Sequence, residues 1–359
     1  MLVLSITYSS DLKNGLNELV NYSTFIIIPL IFLYARNENI NFGYLAGKYV
    51  KFLLISLFIL LIYAFYRNFN EGYDITYLTK KLLSLPVDNL KYEYFNYWYF
   101  VYDKFCEPLK IQPIYLGLLT NIGIVFLFFE SSLSKTKFFI FKVISLFVFL
   151  TLIGSRWQLV IGVINLVIYL LFWSKEIDVK NKIFFTLIII TAIGSLSVFN
   201  PVIRTRLAEA FTYKKAFYED SFGGTSIRIR KWQNALKAIN HQPIFGYGIG
   251  DHKTALLNQY KKDKFYLGYY KRFNAHNQYL DTCLAVGLLG LISLISIFYY
   301  GYFHSRSNLL LFLLTNIYFL SFLTESMFSR QWGVISFPFF ICLASIFGKS
   351  GTRLSLNNF

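Results

Sequence analysis

A histidine flanked by amide side chains, in Asn274-Ala275-His276-Asn277-Gln278, precedes an apolar stretch that begins near Leu280. An imidazole can take a proton from a hydroxyl group near neutral pH, and a neighbouring amide can orient a substrate by hydrogen bonds. These residues therefore indicate a catalytic site in which His276 is the base and Asn277 orients the substrate. The alternative interpretation is an interfacial histidine bonded to lipid headgroups.

Arginines form the second group of side chains suited to chemistry. A guanidinium binds phosphate oxygens in a bidentate manner, whereas lysine acts as a point charge, so arginines close to histidine and aromatic residues indicate a phosphate-bearing ligand. Arg156 lies in Gly154-Ser155-Arg156, a tight link between two apolar stretches. An ionisable residue at membrane depth is a functional candidate, although snorkelling to the interface explains it equally well.

The residues around Arg228 predict a local structure that presents them together. A helix capped by Thr225 or Ser226 and ended by Pro243 places Arg228 and Trp232 on one face. Gly246-Tyr247-Gly248-Ile249-Gly250 follows, and it predicts a tight turn because it has neither the order of elements nor the spacing of a nucleotide-binding loop. Glu325 and Arg330, in the loop between the last two apolar stretches, can pair with each other or join the same site.

The elements that must position these residues are membrane helices. Only 15% of the 359 residues are charged and 55% are hydrophobic, which excludes an ordinary soluble domain. A span needs roughly 20 apolar residues. Residues 1–8 are too short to cross and have no signal-peptide pattern, so we expect them to end a span whose start precedes Met1. Nine stretches fit: 20–35, 49–66, 111–129, 137–153, 157–173, 183–199, 280–300, 307–324 and 331–347.

The distribution of Lys and Arg predicts the orientation of these spans. If the short basic loops are cytoplasmic, residues 67–110, the 154–156 link and residues 200–279 all face outward. The last loop contains fourteen Lys and Arg against five Asp and Glu, a large share of the net charge of +16. Contact with anionic headgroups explains most of its lysines. Nucleic acid is a poor candidate partner because the loop lies outside and has no recognition module.

These motifs together resemble the O-antigen ligase and polymerase family of bacterial inner-membrane proteins. The resemblance rests on Gly-Ser-Arg at a span junction, on Arg-x-x-x-Trp-x-x-Ala followed by Pro and the glycine run across 228–250, and on His-Asn-x-Tyr-Leu at 276–280. The nine apolar stretches and the resemblance together predict an all-α polytopic helix bundle with about nine to ten spans and one large, partly helical periplasmic loop. The expected organisation is an N-terminal transmembrane bundle (1–199), a catalytic loop (200–279) and C-terminal transmembrane helices (280–359).

The resemblance also implies a reaction and assigns residues to it. Family members are expected to transfer a glycan from undecaprenyl diphosphate to an acceptor glycan or to lipid A core, with inversion and without a metal ion or other cofactor. His276 matches the family histidine and Arg228 the arginine before Trp232, so these two are the expected catalytic residues. Arg204 competes with Arg206 for one family position. The expected diphosphate ligands are Arg156, Arg206, Arg228 and Arg230, and the substrate-orienting residues are Asn277, Trp232, Glu325 and Arg330.

Two other functions are compatible with this pattern. A transporter or flippase for lipid-linked glycans can use the basic loop as a gate, but the paired halves and broken helices typical of transporters are not evident in the sequence. A non-catalytic membrane scaffold explains the basic loop by lipid contact alone. The candidate polar residues all gather at the outer face, which favours chemistry there over passage.

Overall fold

The computed structural model describes residues 1–38, 40–70, 97–129, 137–170, 194, 224–304 and 308–347. Regular structure in these ranges is helical, without a strand, and the prediction of an all-α fold is confirmed. Arg206 and nearly all of the predicted span 183–199 lie outside the described residues.

The chain forms two compact units, Met1–Phe42 with Arg206–Phe359, and Gly43–Thr205. The first unit thus groups the N-terminal helices with the candidate catalytic loop and the C-terminal helices. The predicted division at residues 199 and 279 follows the order of the sequence instead, and it stays a prediction.

The first unit contains His276 and most of the candidate site. Its N-terminal elements are α1 (Leu2–Ser5), a 3-10 helix (Ile6–Tyr8), α2 (Leu12–Tyr22) and α3 (Thr24–Ala35). The remaining elements are α9 (Gly224–His241), α10 (His252–Lys262), α11 (Tyr266–Tyr270), α12 (Gln278–His304), α13 (Leu309–Phe322), a 3-10 helix (Met327–Ser329) and α14 (Gln331–Phe347).

The second unit contains Arg156. Its elements are α4 (Phe42–Asn70), α5 (Tyr102–Cys106), α6 (Pro113–Leu127), α7 (Lys137–Ile153) and α8 (Arg156–Ile168), with 3-10 helices at Tyr97–Phe100 and Glu107–Leu109. The amide of Asn121 joins α6 to α8 by donating to both Gln158 oxygens, main-chain and side-chain, at 2.8 Å. Such bonds satisfy polar side chains inside an apolar helix bundle.

Among the described residues, three helical stretches are long and apolar enough to cross a membrane: Leu12–Ala35, which comprises α2 and α3, Phe42–Asn70 and Gln278–His304. A fourth span results if the pair Tyr102–Leu109 and Pro113–Leu127, bent by 80°, is counted as one. The other predicted spans that the structure describes are shorter apolar helices, at Phe141–Ile153, Arg156–Ile168, Leu309–Phe322 and Gln331–Phe347. A helix the length of α13 rises only about 21 Å, which is less than a hydrocarbon core of ~30 Å. The prediction of nine to ten spans is therefore not confirmed.

A proline in α14 shows how a neighbouring helix compensates for a lost hydrogen bond. Pro338 has no N–H to donate to the carbonyl of Val334, four residues earlier. The hydroxyl of Thr24, in α3, donates to that carbonyl at 3.0 Å. This bond joins the N-terminal end of α3 to the first turn of α14.

Helix α9 is amphipathic and too polar to cross a membrane. Its buried side chains follow helical spacing at Lys231, Asn234, Ala235 and Ala238, and the two alanines allow close packing against neighbouring helices. The structure describes this helix from Gly224 onward. Thr225 and Ser226 therefore lie inside the helix, so the predicted cap position is wrong.

Candidate active site

His276 lies in the loop between α11 and α12, where hydrogen bonds of its main chain hold it in place. Its φ is +48°, a left-handed conformation that non-glycine residues rarely adopt. The main-chain N–H donates to Oδ1 of Asn274 at 3.2 Å, and the main-chain carbonyl accepts from Nε1 of Trp232 at 3.4 Å. Unusual backbone conformations supported in this way are concentrated at functional sites.

The imidazole of His276 pairs with the carboxylate of Glu325. Nδ1 lies 3.0 Å from Oε2, while 28% of the histidine side chain stays exposed. Glu325 is buried in the loop after α13, and its Oε1 accepts from the N–H of Ser326 at 3.2 Å. If Nδ1 donates to the carboxylate, Nε2 is left as the proton acceptor.

The charges around Glu325 keep it ionised. Burial raises the pKa of a carboxyl group, but the hydrogen bond from His276 and the positive charges of His276, Arg228 and Lys231 hold the pKa of Glu325 below its usual value. A carboxylate that stays negative can orient an imidazole and stabilise its protonated form. The arrangement is therefore suited to general base catalysis.

Lys231 places a buried amine beside this pair. Only 3% of the residue is exposed, and its Nζ lies 3.7 Å from the ring centroid of Phe273. Burial, opposed by the charge of Glu325 and assisted by that of Arg228, lowers the pKa of Lys231 to about 7. Groups whose pKa is shifted by burial and by neighbouring charges are typical of functional sites.

The two candidate arginines of α9 point in different directions. Arg228 is half-buried, and its charge acts on both Lys231 and Glu325. The guanidinium of Arg230 lies over the ring of Phe265, 4.6 Å from its centroid. Only Arg228 thus shares its electrostatic environment with the His276–Glu325 pair, as expected for residues two positions apart on a helix.

Asn277 is bonded to the protein at both ends of its amide. Oδ1 caps α12 by accepting from the N–H of Leu280 at 3.1 Å, and Nδ2 donates to the carbonyl of Leu323 at 3.1 Å. The main-chain N–H donates to Oγ of Ser326 at 3.3 Å. These bonds give Asn277 a structural position, and its role in orienting the substrate stays a prediction.

The structure does not bring the remaining predicted site residues together with the His276–Glu325 pair in the same way. Arg330 is exposed, and among the described residues Glu325 forms its ion pair with His276 and not with Arg330. Arg156 is the first residue of α8, in the second unit, and Ser155 separates it from Gly154, whose φ of +68° is left-handed. Arg206 lies outside the described residues.

Sequence reasoning missed Lys231 and Asn274. A signal for Lys231 exists, because it lies on the same stripe of α9 as Ala235 and Ala238, where an apolar residue is expected. Asn274 precedes His276 by two residues, and its Nδ2 also donates to Oγ of Ser329 at 3.0 Å. Its role depends on a loop more than fifty residues away, which the local motif does not contain.

Comparison with known families supports the predicted resemblance. Residues 140–295 match the family model described as O-antigen ligase. This segment includes Arg156, Arg228 and His276 but ends before Glu325. The resemblance to the O-antigen ligase family is confirmed over these residues.

Two curated relatives extend the comparison. An uncharacterized protein of Haemophilus influenzae is 32% identical over 222 residues, which cover 58% of this chain and 54% of that protein. A ComP-specific O-oligosaccharyltransferase of Acinetobacter baylyi is 28% identical over 233 residues, which cover 62% of this chain and 40% of that protein. The chain spans about half the length of these relatives, or less.

Proposed function

We propose that this membrane protein, whose residues 140–295 match the O-antigen ligase family model, transfers a glycan from undecaprenyl diphosphate to an acceptor hydroxyl. The proposed location of the reaction is the periplasmic face of the bacterial inner membrane. The Acinetobacter relative is named as an oligosaccharyltransferase, which supports glycan transfer as the class of reaction.

The observation that carries this proposal is the distance of 3.0 Å between Nδ1 of His276 and Oε2 of Glu325. A partly exposed histidine backed by a buried carboxylate is the arrangement that a general base needs. A histidine that only contacts lipid in a scaffold needs no such carboxylate. A scaffold would also have no use for a carboxylate that is buried next to Arg228 and Lys231.

The proposed reaction is a single displacement. The acceptor hydroxyl gives its proton to Nε2 of His276 while its oxygen forms a bond to C1 of the donor sugar. The bond between C1 and the phosphate oxygen breaks, and undecaprenyl diphosphate leaves with the electron pair. Attack from the side opposite to the leaving group inverts the configuration at C1, and Glu325 stabilises the imidazolium that forms.

Arginine side chains are proposed to stabilise the leaving diphosphate. Negative charge on the leaving group grows in the transition state, and a preorganised guanidinium stabilises it without reorganisation. Arg228 is the principal candidate because its charge already acts on the His276–Glu325 pair. Arg156, Arg206 and Arg230 are proposed as further ligands, and Arg330 as a substrate-orienting residue at the rim.

The identity of the acceptor separates three versions of the proposal. A polymerase transfers the glycan to a second lipid-linked repeat, a ligase transfers it to lipid A core, and an oligosaccharyltransferase transfers it to a protein. All three use the same donor and the same proton transfer. The distinction lies outside the His276–Glu325 pair.

Reconstitution tests the proposal and separates these versions. Proteoliposomes that contain the full chain are supplied with a labelled undecaprenyl-diphosphate oligosaccharide and, in parallel, with no second acceptor, with lipid A core or with a periplasmic protein extract. We expect the label to move to one acceptor, at a rate that a chelator does not change. Movement of the labelled lipid across the bilayer without transfer would instead indicate a flippase and contradict the proposal.

A further inference from the structure

Helix α12 is broken near its N-terminal end. Val286 and Gly287 leave the helical conformation, with φ and ψ of −132° and 15° at Val286 and of 67° and −165° at Gly287. A side chain at Gly287 would collide with the carbonyl of Ile244 as well as requiring a strained backbone. The break is therefore built into the sequence, and another segment of chain approaches it closely.

The segment at the break is the turn Pro243–Gly248, which follows α9. The N–H groups of Tyr247 and Gly248 donate to the carbonyls of Leu284 and Ala285 at 2.8 and 2.9 Å, and the N–H of Leu288 donates to the carbonyl of Pro243 at 2.8 Å. A broken helix at membrane depth needs such partners, because lipid offers none. These three bonds fix the height of the turn along α12.

The side chains of α12 change their surroundings at the same point. Those from Gln278 to Gly287 are buried or half-buried, whereas from Leu288 onward one side of the helix is exposed and apolar. This exposed stripe has helical spacing: Leu288, Ile292, Ile295, Tyr299 and Phe303. In a helix apolar enough to cross a membrane, such a stripe is the surface that contacts acyl chains.

The turn lies beside the first residue of this stripe, because the N–H of Leu288 donates to the carbonyl of Pro243. Residues 288–304 rise about 25 Å, which is about 5 Å less than a hydrocarbon core. Ile244 and Phe245, in this turn, are 55% and 61% exposed. The hydroxyl of Tyr8 donates to the carbonyl of Phe245 at 2.7 Å, and its ring meets the Phe245 ring edge-on. A tyrosine with an apolar ring and a bonded hydroxyl is typical of the level of lipid headgroups.

We propose that the turn Pro243–Gly248 is a membrane anchor whose Ile244 and Phe245 side chains insert into the acyl region of the bilayer, beside the lipid-facing stripe of α12. The partner is the lipid bilayer itself. The anchor sets the height of α9 and of the loop that contains His276 relative to the membrane surface. This inference does not depend on the proposed glycan transfer.

Nitroxide labelling tests the anchor. Phe245→Cys is labelled in a chain whose Cys106, Cys283 and Cys342 are replaced by alanine, and the protein is reconstituted into phosphatidylethanolamine–phosphatidylglycerol vesicles. Leu236→Cys is the matched control, because Leu236 is an equally apolar side chain, 50% exposed, on the polar helix α9. We expect position 245 to collide several-fold more often with oxygen than with a water-soluble nickel chelate, and position 236 to show the reverse.

Two outcomes would overturn the proposal. One is equal access of the nickel chelate to positions 245 and 236. The other is spin–spin broadening at position 245 that disappears when labelled chains are diluted with unlabelled ones, which would show that a second copy covers the turn. Ile244→Cys provides the same measurement if the Phe245 variant fails to fold.

Discussion

Nδ1 of His276 lies 3.0 Å from Oε2 of Glu325, although 49 positions separate the two residues along the chain. The loop after α13 folds back over the start of α12, where Ser326 and Ser329 accept hydrogen bonds from Asn277 and Asn274. The candidate base and the carboxylate that orients it therefore come from two loops that hydrogen bonds join.

Glu325→Gln removes the negative charge of this pair but keeps the size of the side chain. We expect the rate of glycan transfer to fall by about 10²- to 10⁴-fold, because an amide neither stabilises an imidazolium nor fixes the tautomer of His276. The measurement is the initial rate with a labelled lipid-linked glycan in proteoliposomes. Glu38→Gln, at an exposed acidic residue, is the control. An unchanged rate for Glu325→Gln would contradict the orienting role.

Arg228→Ala and Arg228→Lys test the stabilisation of the leaving diphosphate. We expect the alanine variant to lose about 10²- to 10³-fold in rate, since removing one preorganised donor at a developing anion has this effect. The lysine variant should recover only part of it, because an ammonium group cannot bind phosphate in a bidentate manner. Rates are compared with those of Arg36→Ala, at an exposed arginine. Full recovery in the lysine variant would show that a point charge suffices.

Trp232→Phe removes the indole N–H that donates to the carbonyl of His276. The ring stays in place, so the packing of α9 is largely kept. The loss of one neutral hydrogen bond is worth about 1 kcal/mol, and we expect a decrease of roughly fivefold in rate. If the rate of the Trp232→Phe variant falls as far as that of Arg228→Ala, Trp232 has a role beyond positioning the backbone of His276.

Lys231→Met tests the buried amine through the pH dependence of stability. With its pKa lowered to about 7 in the folded chain, Lys231 is neutral above that pH, whereas an unfolded lysine stays protonated to about pH 10.4. Between these values the unfolded state binds more protons, so this residue makes stability rise with pH and lowers it as pH falls toward 7. The methionine variant lacks this dependence.

We therefore expect the gain in thermal midpoint from Lys231→Met to be largest near pH 7 and to shrink as the pH approaches 10. The midpoint is followed by intrinsic fluorescence in detergent at several pH values. Lys262→Met, at an exposed lysine of α10, is the control. A gain for Lys231→Met that is independent of pH would mean that the amine is not titrated in this range.

The sequence predicted the parts of this molecule that depend on local patterns. The helical class, the polar helix that ends before Pro243 and the turn at Gly246–Gly250 follow from hydrophobic spacing, proline and glycine. The pairing of His276 with Glu325 rather than of Glu325 with Arg330 depends on how two loops fold together. No pattern within either loop contains that information.

The number of spans was less predictable for a related reason. Apolar runs mark where helices form, but whether a helix is long enough to cross depends on where it ends or bends. Hydropathy does not encode the hydrogen bonds between the turn after α9 and the broken part of α12, nor does it encode the 80° bend before Pro113. The burial of Lys231 likewise follows from the packing around α9 and from the ring of Phe273.

The rate of glycan transfer by the His276→Ala variant tests the central claim most directly. The full chain and this variant are reconstituted at equal amounts with the labelled undecaprenyl-diphosphate glycan and the acceptor that the wild type uses. His304→Ala, at an exposed histidine that ends α12, is the matched control. We predict that transfer is abolished in His276→Ala and kept in His304→Ala, while both variants insert normally. Transfer by His276→Ala at the wild-type rate would contradict the proposed site.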